Sequence, residues 1–326
     1  MLSAFGVGGP SVDTVLDTPS AMPGEVVEGR VRIQGGSNEA TIDQVVLSLV
    51  TRVEVEHGNH EQRAVAEFHR IVVGRDVRVP SNELREIPFE LPLPWETPIT
   101  AVGDVALPGM TIGVRTELVI KGAPDKGDLD PVAVLPLPSQ DKVLEAFGEL
   151  GASFHSADVE AGRLHGVPQE IPFYQELEFW PPQQFSGRLN QVELTFVATH
   201  RDLWVVLEAD KRGGMFRQGA DTFGRFHMSH EDAERADWTT MIGEWLAGAA
   251  DRVPRGNPAF GGGKPGFGGH HGHHGHQGHH GRRGSGMGAM VGGAAAGLVG
   301  GMIIGDMMDG GLIDGDGGED FAGGEE

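Results

Sequence analysis

The 326-residue chain contains no cysteine. That excludes disulfide-stapled scaffolds, thiol nucleophiles and cysteine-zinc sites together. Positive charge is scarce as well: 25 Lys and Arg stand against 47 Asp and Glu, a formal net charge of -22. A nucleic-acid binder needs a basic footprint to displace counterions from phosphates, and none is supplied. An anionic membrane surface would repel such a body for the same reason. The N-terminal apolar run has no basic residue ahead of it. A secretory signal needs that positive flank, so the expected location is cytoplasmic.

Catalytic signatures are also missing. Without cysteine, a nucleophile must be Ser, Thr, Lys or a carboxylate with a base in reach. No Gly-x-Ser-x-Gly elbow, Gly-Lys-Ser/Thr phosphate loop or post-strand dinucleotide fingerprint occurs. The sequence therefore points to a protein that is not an enzyme and needs no resident cofactor.

What is present is a long stretch of β-pattern. Hydrophobic residues make up 39% of the chain, enough for real cores, and its length suits two domains. Val27, Val31 and Ile33 alternate with Glu28, Arg30, Arg32 and Gln34, giving one buried and one wet face. Val45, Leu47, Leu49, Val53 and Val55 repeat the pattern, as do Ile112, Val114, Leu118 and Ile120. Further strands are expected at 65–73, 76–79 and 87–91, and later near Phe154 and at 171–179, 191–198 and 203–207. Pro88, Pro92, Pro94 and Pro98 end or edge strands, because proline donates nothing to a ladder.

The residues 124–128 (Pro-Asp-Lys-Gly-Asp) read as a turn-rich break between two sandwiches. A short helix is expected from Ser139, as N-cap, through Val143, Leu144, Phe147 and Leu150. An amphipathic helix over roughly 230–249 follows from a Ser229 cap, early acids, and a stripe of Trp238, Met241, Ile242, Trp245 and Leu246. The expected class is all-β: tandem sandwiches, then an amphipathic helix and a low-complexity Gly/His-rich tail. The expected divisions are 1–124, 125–228, 229–250, 251–285 (flexible linker), 286–308 (glycine zipper) and 309–326 (acidic disordered tail).

Several pieces taken in order carry a family resemblance. They are the opening 12–17 strand, Pro23-Gly24-Glu25-Val26-Val27-Glu28-Gly29 and the 42–56 strand. Then come Leu93-Pro94-Trp95-Glu96-Thr97-Pro98-Ile99-Thr100, the 113–120 strand, Leu135-Pro136-Leu137-Pro138 and the run 207–214 (Leu-Glu-Ala-Asp-Lys-Arg-Gly-Gly). Over about 1–250 the chain resembles the bacterial sporulation-control proteins of the Spo-zero-M group, of arrestin-like fold. The resemblance implies paired β-sandwiches acting as a cytoplasmic regulator or adaptor through protein–protein interaction. It transfers no binding residues to numbered positions.

Two histidine clusters offer metal chemistry. His227 and His230 flank a helix start beside Glu231 and Asp232. Their spacing does not hold them on one helical face, so a solvated, capped helix entrance is the preferred reading. His57, His60 and His69 have no ligand spacing. The stronger candidate is His270, His271, His273, His274, His276, His279 and His280, separated by Gly and one Gln. Imidazoles on such a chain wrap Zn, Ni or Cu with little selectivity and titrate near neutrality. The alternative is a plain solvated linker.

Residues 287–305 carry no charge, and Gly293, Gly297, Gly301 and Gly305 recur every fourth position. On a helix this spacing lets two backbones approach closely, which favours self-association into a homo-oligomer. Membrane attachment through 286–305 and a disordered tail remain as alternatives. The acidity of residues 1–250, 38 acidic against 20 basic side chains, favours a basic protein partner.

Overall fold

The computed structural model describes residues 9–57, 60–120, 126–211 and 222–252. The first half holds β1 (Ser11–Leu16), β2 (Ser20–Ala21), β3 (Val26–Gln34), β4 (Ala40–His57), β5 (His60–Val79) and β6 (Leu84–Pro92). A small pair, β7 (Ala101–Val102) and β8 (Val105–Ala106), precedes β9 (Ile112–Val119) and β10 (Lys126–Val134). The second half holds α1 (Pro138–Glu149), β11 (Ser153–Ala161), β12 (Phe173–Trp180), β13 (Leu189–Ala198) and β14 (Asp202–Lys211). It closes with β15 (Thr222–Ser229), α2 (His230–Arg235) and α3 (Trp238–Asp251).

Strands dominate, as the period-two patterns require. In β3 the alternation is complete: Val27, Val31 and Ile33 are wholly buried, while Glu28, Arg30 and Arg32 face solvent. β1, β3 and β6 form one three-stranded sheet. It packs Val31, Ile33 and Leu91 against Val45, Leu47, Leu49, Val114 and Leu118 of the opposing sheet, a sandwich core. That opposing sheet runs through both halves of the described residues in the order β15-β14-β13-β12-β11-β4-β9-β10-β2, with β5 added on β4. The halves are joined where β11 lies parallel to β4, pairing Glu160 with Glu54.

The two halves stand in tandem, and helices make the layer that closes the second. Phe147 of α1 and Trp238, Ile242 and Leu246 of α3 share a core with Phe179, Leu194, Val205 and Leu207 of the sheet. The 3.6-residue stripe on α3 is what supplies this buried face.

Three expectations need correction. The break at 124–128 is no boundary between halves, because β10 returns to pair antiparallel with β9 and parallel with β2. The first half therefore continues to Val134. The single helix over 230–249 is two, since Asp237 starts a new one by accepting the Thr240 N–H at 3.0 Å. Ser139 lies inside the first turn of α1, whose N-cap is Leu137; the Gln140 side chain accepts the Leu137 N–H at 2.8 Å. The 251–326 divisions, except for the end of α3, lie outside the described residues.

Candidate interaction site

The proline-punctuated segment 93–100 ties the halves together. Trp95 lies against Gly24, whose φ of 84° is a left-handed conformation that suits glycine. An added Cβ at Gly24 would stand 2.6 Å from the Trp95 ring. On its other side Trp95 meets His230, with ring centroids 5.9 Å apart. Glu96 accepts the N–H groups of Glu170 at 2.7 Å and Ile171 at 3.1 Å. Burial still pushes the Glu96 carboxyl above its ordinary range, outweighing the lowering effect of those two bonds. Gln175 of β12 then brackets Ile99, accepting its N–H at 2.9 Å and donating to its carbonyl at 2.7 Å. A cleft of about 140 Å³ remains between Trp95, Glu96, Glu170 and Thr199. It is too small for a drug-sized ligand.

His230 also makes the arrangement closest in form to a catalytic pair. Its Nδ1 lies 2.8 Å from Ser139 Oγ and its Nε2 lies 2.8 Å from the Thr199 carbonyl. The carbonyl can only accept, so Nε2 carries the proton and Ser139 donates to Nδ1. Ser139 is 1% exposed, so a substrate has no approach to it. The contact joins α1 and α2 to the β13–β14 turn. His227 stacks on Trp204 with centroids 3.9 Å apart, and Ser229 Oγ accepts the Asp232 N–H at 3.1 Å. The pair thus serves packing and a capped helix entrance. His69 has its pKa lowered by burial. The His270–His280 candidates and the Gly293–Gly305 candidates lie outside the described residues.

The open face of the long sheet changes character along its length. In the first half its acids meet arginines: Arg115 bonds Glu67 and lies 3.3 Å from Glu117, and Arg70 reaches Glu67 at 3.6 Å. In the second half the register lines up carboxylates: Asp158 opposite Glu176, Glu178 opposite Glu193, and Glu193 opposite Glu208. Burial first, then Glu193, Asp158, Glu160 and Glu208, pushes the Glu176 carboxyl up to about 10. This convergence escaped the sequence reading. The alternation marks each acid as a wet-face residue, and the pairing of β11 with β4 and β12 is set by the fold.

Sheet edges complete the inventory. Among the described residues β5 has a strand partner on one side alone, and β15 ends the long sheet. Such edges offer unpaired backbone groups to an added strand.

Comparison with known proteins follows the same outline. The family model described as SpoOM protein matches residues 1–213. The chain belongs to the Spo0M family. The sporulation-control protein Spo0M of Bacillus subtilis (strain 168) is 33% identical over 213 residues, covering 65% of this chain and 80% of that protein. The crystal structure of Spo0M, sporulation control protein, from Bacillus subtilis is similar with a TM-score of 0.63 at 29% identity. It covers 74% of this chain and 100% of the other. The Spo0M resemblance and the mainly β fold read from the sequence are therefore established, and Gly24 and Trp95, two of its carriers, touch each other. No helix among the described residues is long and apolar enough to cross a membrane.

Proposed function

We propose that this Spo0M-family chain is a non-catalytic cytoplasmic regulator that works as an adaptor, binding a basic protein partner. The observation that carries the reading is the second half of the long sheet, where Asp158, Glu160, Glu178 and Glu193 share an open face. A broad carboxylate surface on the inner strands of a sheet that ends in an open edge at β15 offers charge for steering and backbone for docking. The polar groups of greatest chemical interest are engaged in holding the fold: Glu96 and Gln175 across the junction, Ser139 and His230 between the helices.

The test is capture of partners from cell extract with the full chain and with residues 1–252 as parallel baits. Both baits should retain the same partner, and retention should fall as NaCl rises. Retention indifferent to salt removes the electrostatic part of the proposal. Retention lost with the tail favours the second reading, a metal-binding protein that uses the His270–His280 run.

A further inference from the structure

Glu178 of β12 stands opposite Glu193 of β13, and Glu193 stands opposite Glu208 of β14. Paired residues share a face, so this row of carboxylates crosses the sheet at about 4.8 Å a strand. The next residue across is Phe223 of β15, 56% exposed at the sheet edge. Trp180, two positions beyond Glu178 and on the same face of β12, is 48% exposed. Among the described residues the exposed Phe and Trp rings are Phe154, Trp180 and Phe223, and all of them belong to strands of the second half. Carboxylates flanked by open ring faces suit guanidinium groups, which pair with the one and lie flat on the other.

The chain itself holds a segment of that chemistry. Residues 252–283 contain Arg252, Arg255, Lys264, Arg282, Arg283 and the His270–His280 run, and no Asp or Glu. The acids lie in the body, where residues 1–250 hold 38 acidic against 20 basic side chains. The basic segment also begins close to the row. Asp251 ends α3 and pairs with Arg188 at 3.1 Å, and Arg188 directly precedes β13. Glu193 lies about 13 Å along β13 from its first residue. The stretch from Arg252 to Lys264 reaches up to about 40 Å, enough to round the end of the sheet and cross the row. We propose that residues 252–283 dock in cis on the open face of the second half, with their cations over Glu178, Glu193 and Glu208 and with Trp180 and Phe223 as flanks. Tethering supplies an effective concentration on the order of 1 mM, so a weak contact suffices. The docked segment shields the acidic face from other basic chains. Shielding from a partner rests on the adaptor reading, whereas the docking does not.

Hydroxyl-radical footprinting of the full chain reads the docking with no partner present. The comparison is a full-length variant carrying Arg255→Ser, Lys264→Ser, Arg282→Ser and Arg283→Ser, which leaves every described residue as it is. Trp180 and Phe223 should be oxidised about three-fold more in the variant. Leu84 and Val105, exposed in the first half, should react equally in both chains. About 300 mM NaCl should bring the unaltered chain to the level of the variant, because it screens the ion pairs. Dilution should leave the protection unchanged, as a contact within one chain requires. Equal oxidation of Trp180 and Phe223 in the two chains overturns the docking, and protection that fades on dilution overturns its being in cis. As bait for partner capture, the variant should retain more partner than the unaltered chain. Equal retention with the protection intact overturns the shielding alone, and no partner on either bait sinks the adaptor reading while the footprint still decides the docking.

Discussion

Gly29 occupies a point on β3 where no side chain fits. A Cβ there would stand 2.5 Å from the Val15 carbonyl oxygen and 2.6 Å from the Phe89 ring. Both neighbours belong to strands paired with β3, so relief requires moving a sheet. Gly29→Ala is expected to cost about 1–3 kcal/mol in urea unfolding, and a cost near zero would show that β1 yields freely. Asp130 gives a pH-dependent prediction. Burial first, then Asp128 and Asp13, raises its carboxyl from 3.8 to about 6. The folded chain therefore holds this proton more tightly than the unfolded chain, and the associated stability is lost as pH rises from 3.8 through about 6. Asp130→Asn should raise the thermal midpoint at pH 7.5 by roughly 1–3 °C, with the gain vanishing towards pH 4. Equal shifts at both pH values would contradict this.

The elements differ in how plainly the residues announce them. β3 and β9 alternate cleanly because each has one buried face, and α3 carries its stripe because one side packs on the sheet. β10 is another matter. Lys126, Gly127, Asp128 and Pro131 have the composition of a turn, yet they lie in a strand paired with β9. Pro131 is tolerated because β2 pairs with β10 only at Ala133 and Val134, leaving that edge open beside the proline. The helix break at Asp237 was equally hidden, since the Ser229 cap and the early acids of α2 read as the first turn of the helix whose apolar stripe begins at Trp238. The junction could not be read because Glu96 and Ile99 meet partners more than seventy residues away. The carboxylate cluster was hidden for the same reason, being assembled by strand register.

Two changes probe these elements. Ser229→Ala removes the cap of α2 and should cost about 1 kcal/mol by thermal or urea unfolding. Glu96→Gln leaves one acceptor oxygen where two N–H groups converge, and should cost about 1–3 kcal/mol in the same measurement. An unchanged midpoint for Glu96→Gln would mean that the 93–100 segment does not hold the halves together.

At the scale of the molecule, a net charge of -22 sets up self-repulsion that salt relieves. Raising NaCl from about 20 mM to about 300 mM should raise the thermal midpoint by a few degrees. A fall instead would mean that the Arg115 and Arg70 pairs of the first half outweigh the crowded acids of the second. The pairing of β11 with β4 has a separate consequence. Because the ladder and the core run through both described halves, heat finds no independent body among them to melt first. A scanning calorimeter should record one endotherm with coincident van't Hoff and calorimetric enthalpies; two resolved peaks would mean that each half unravels alone.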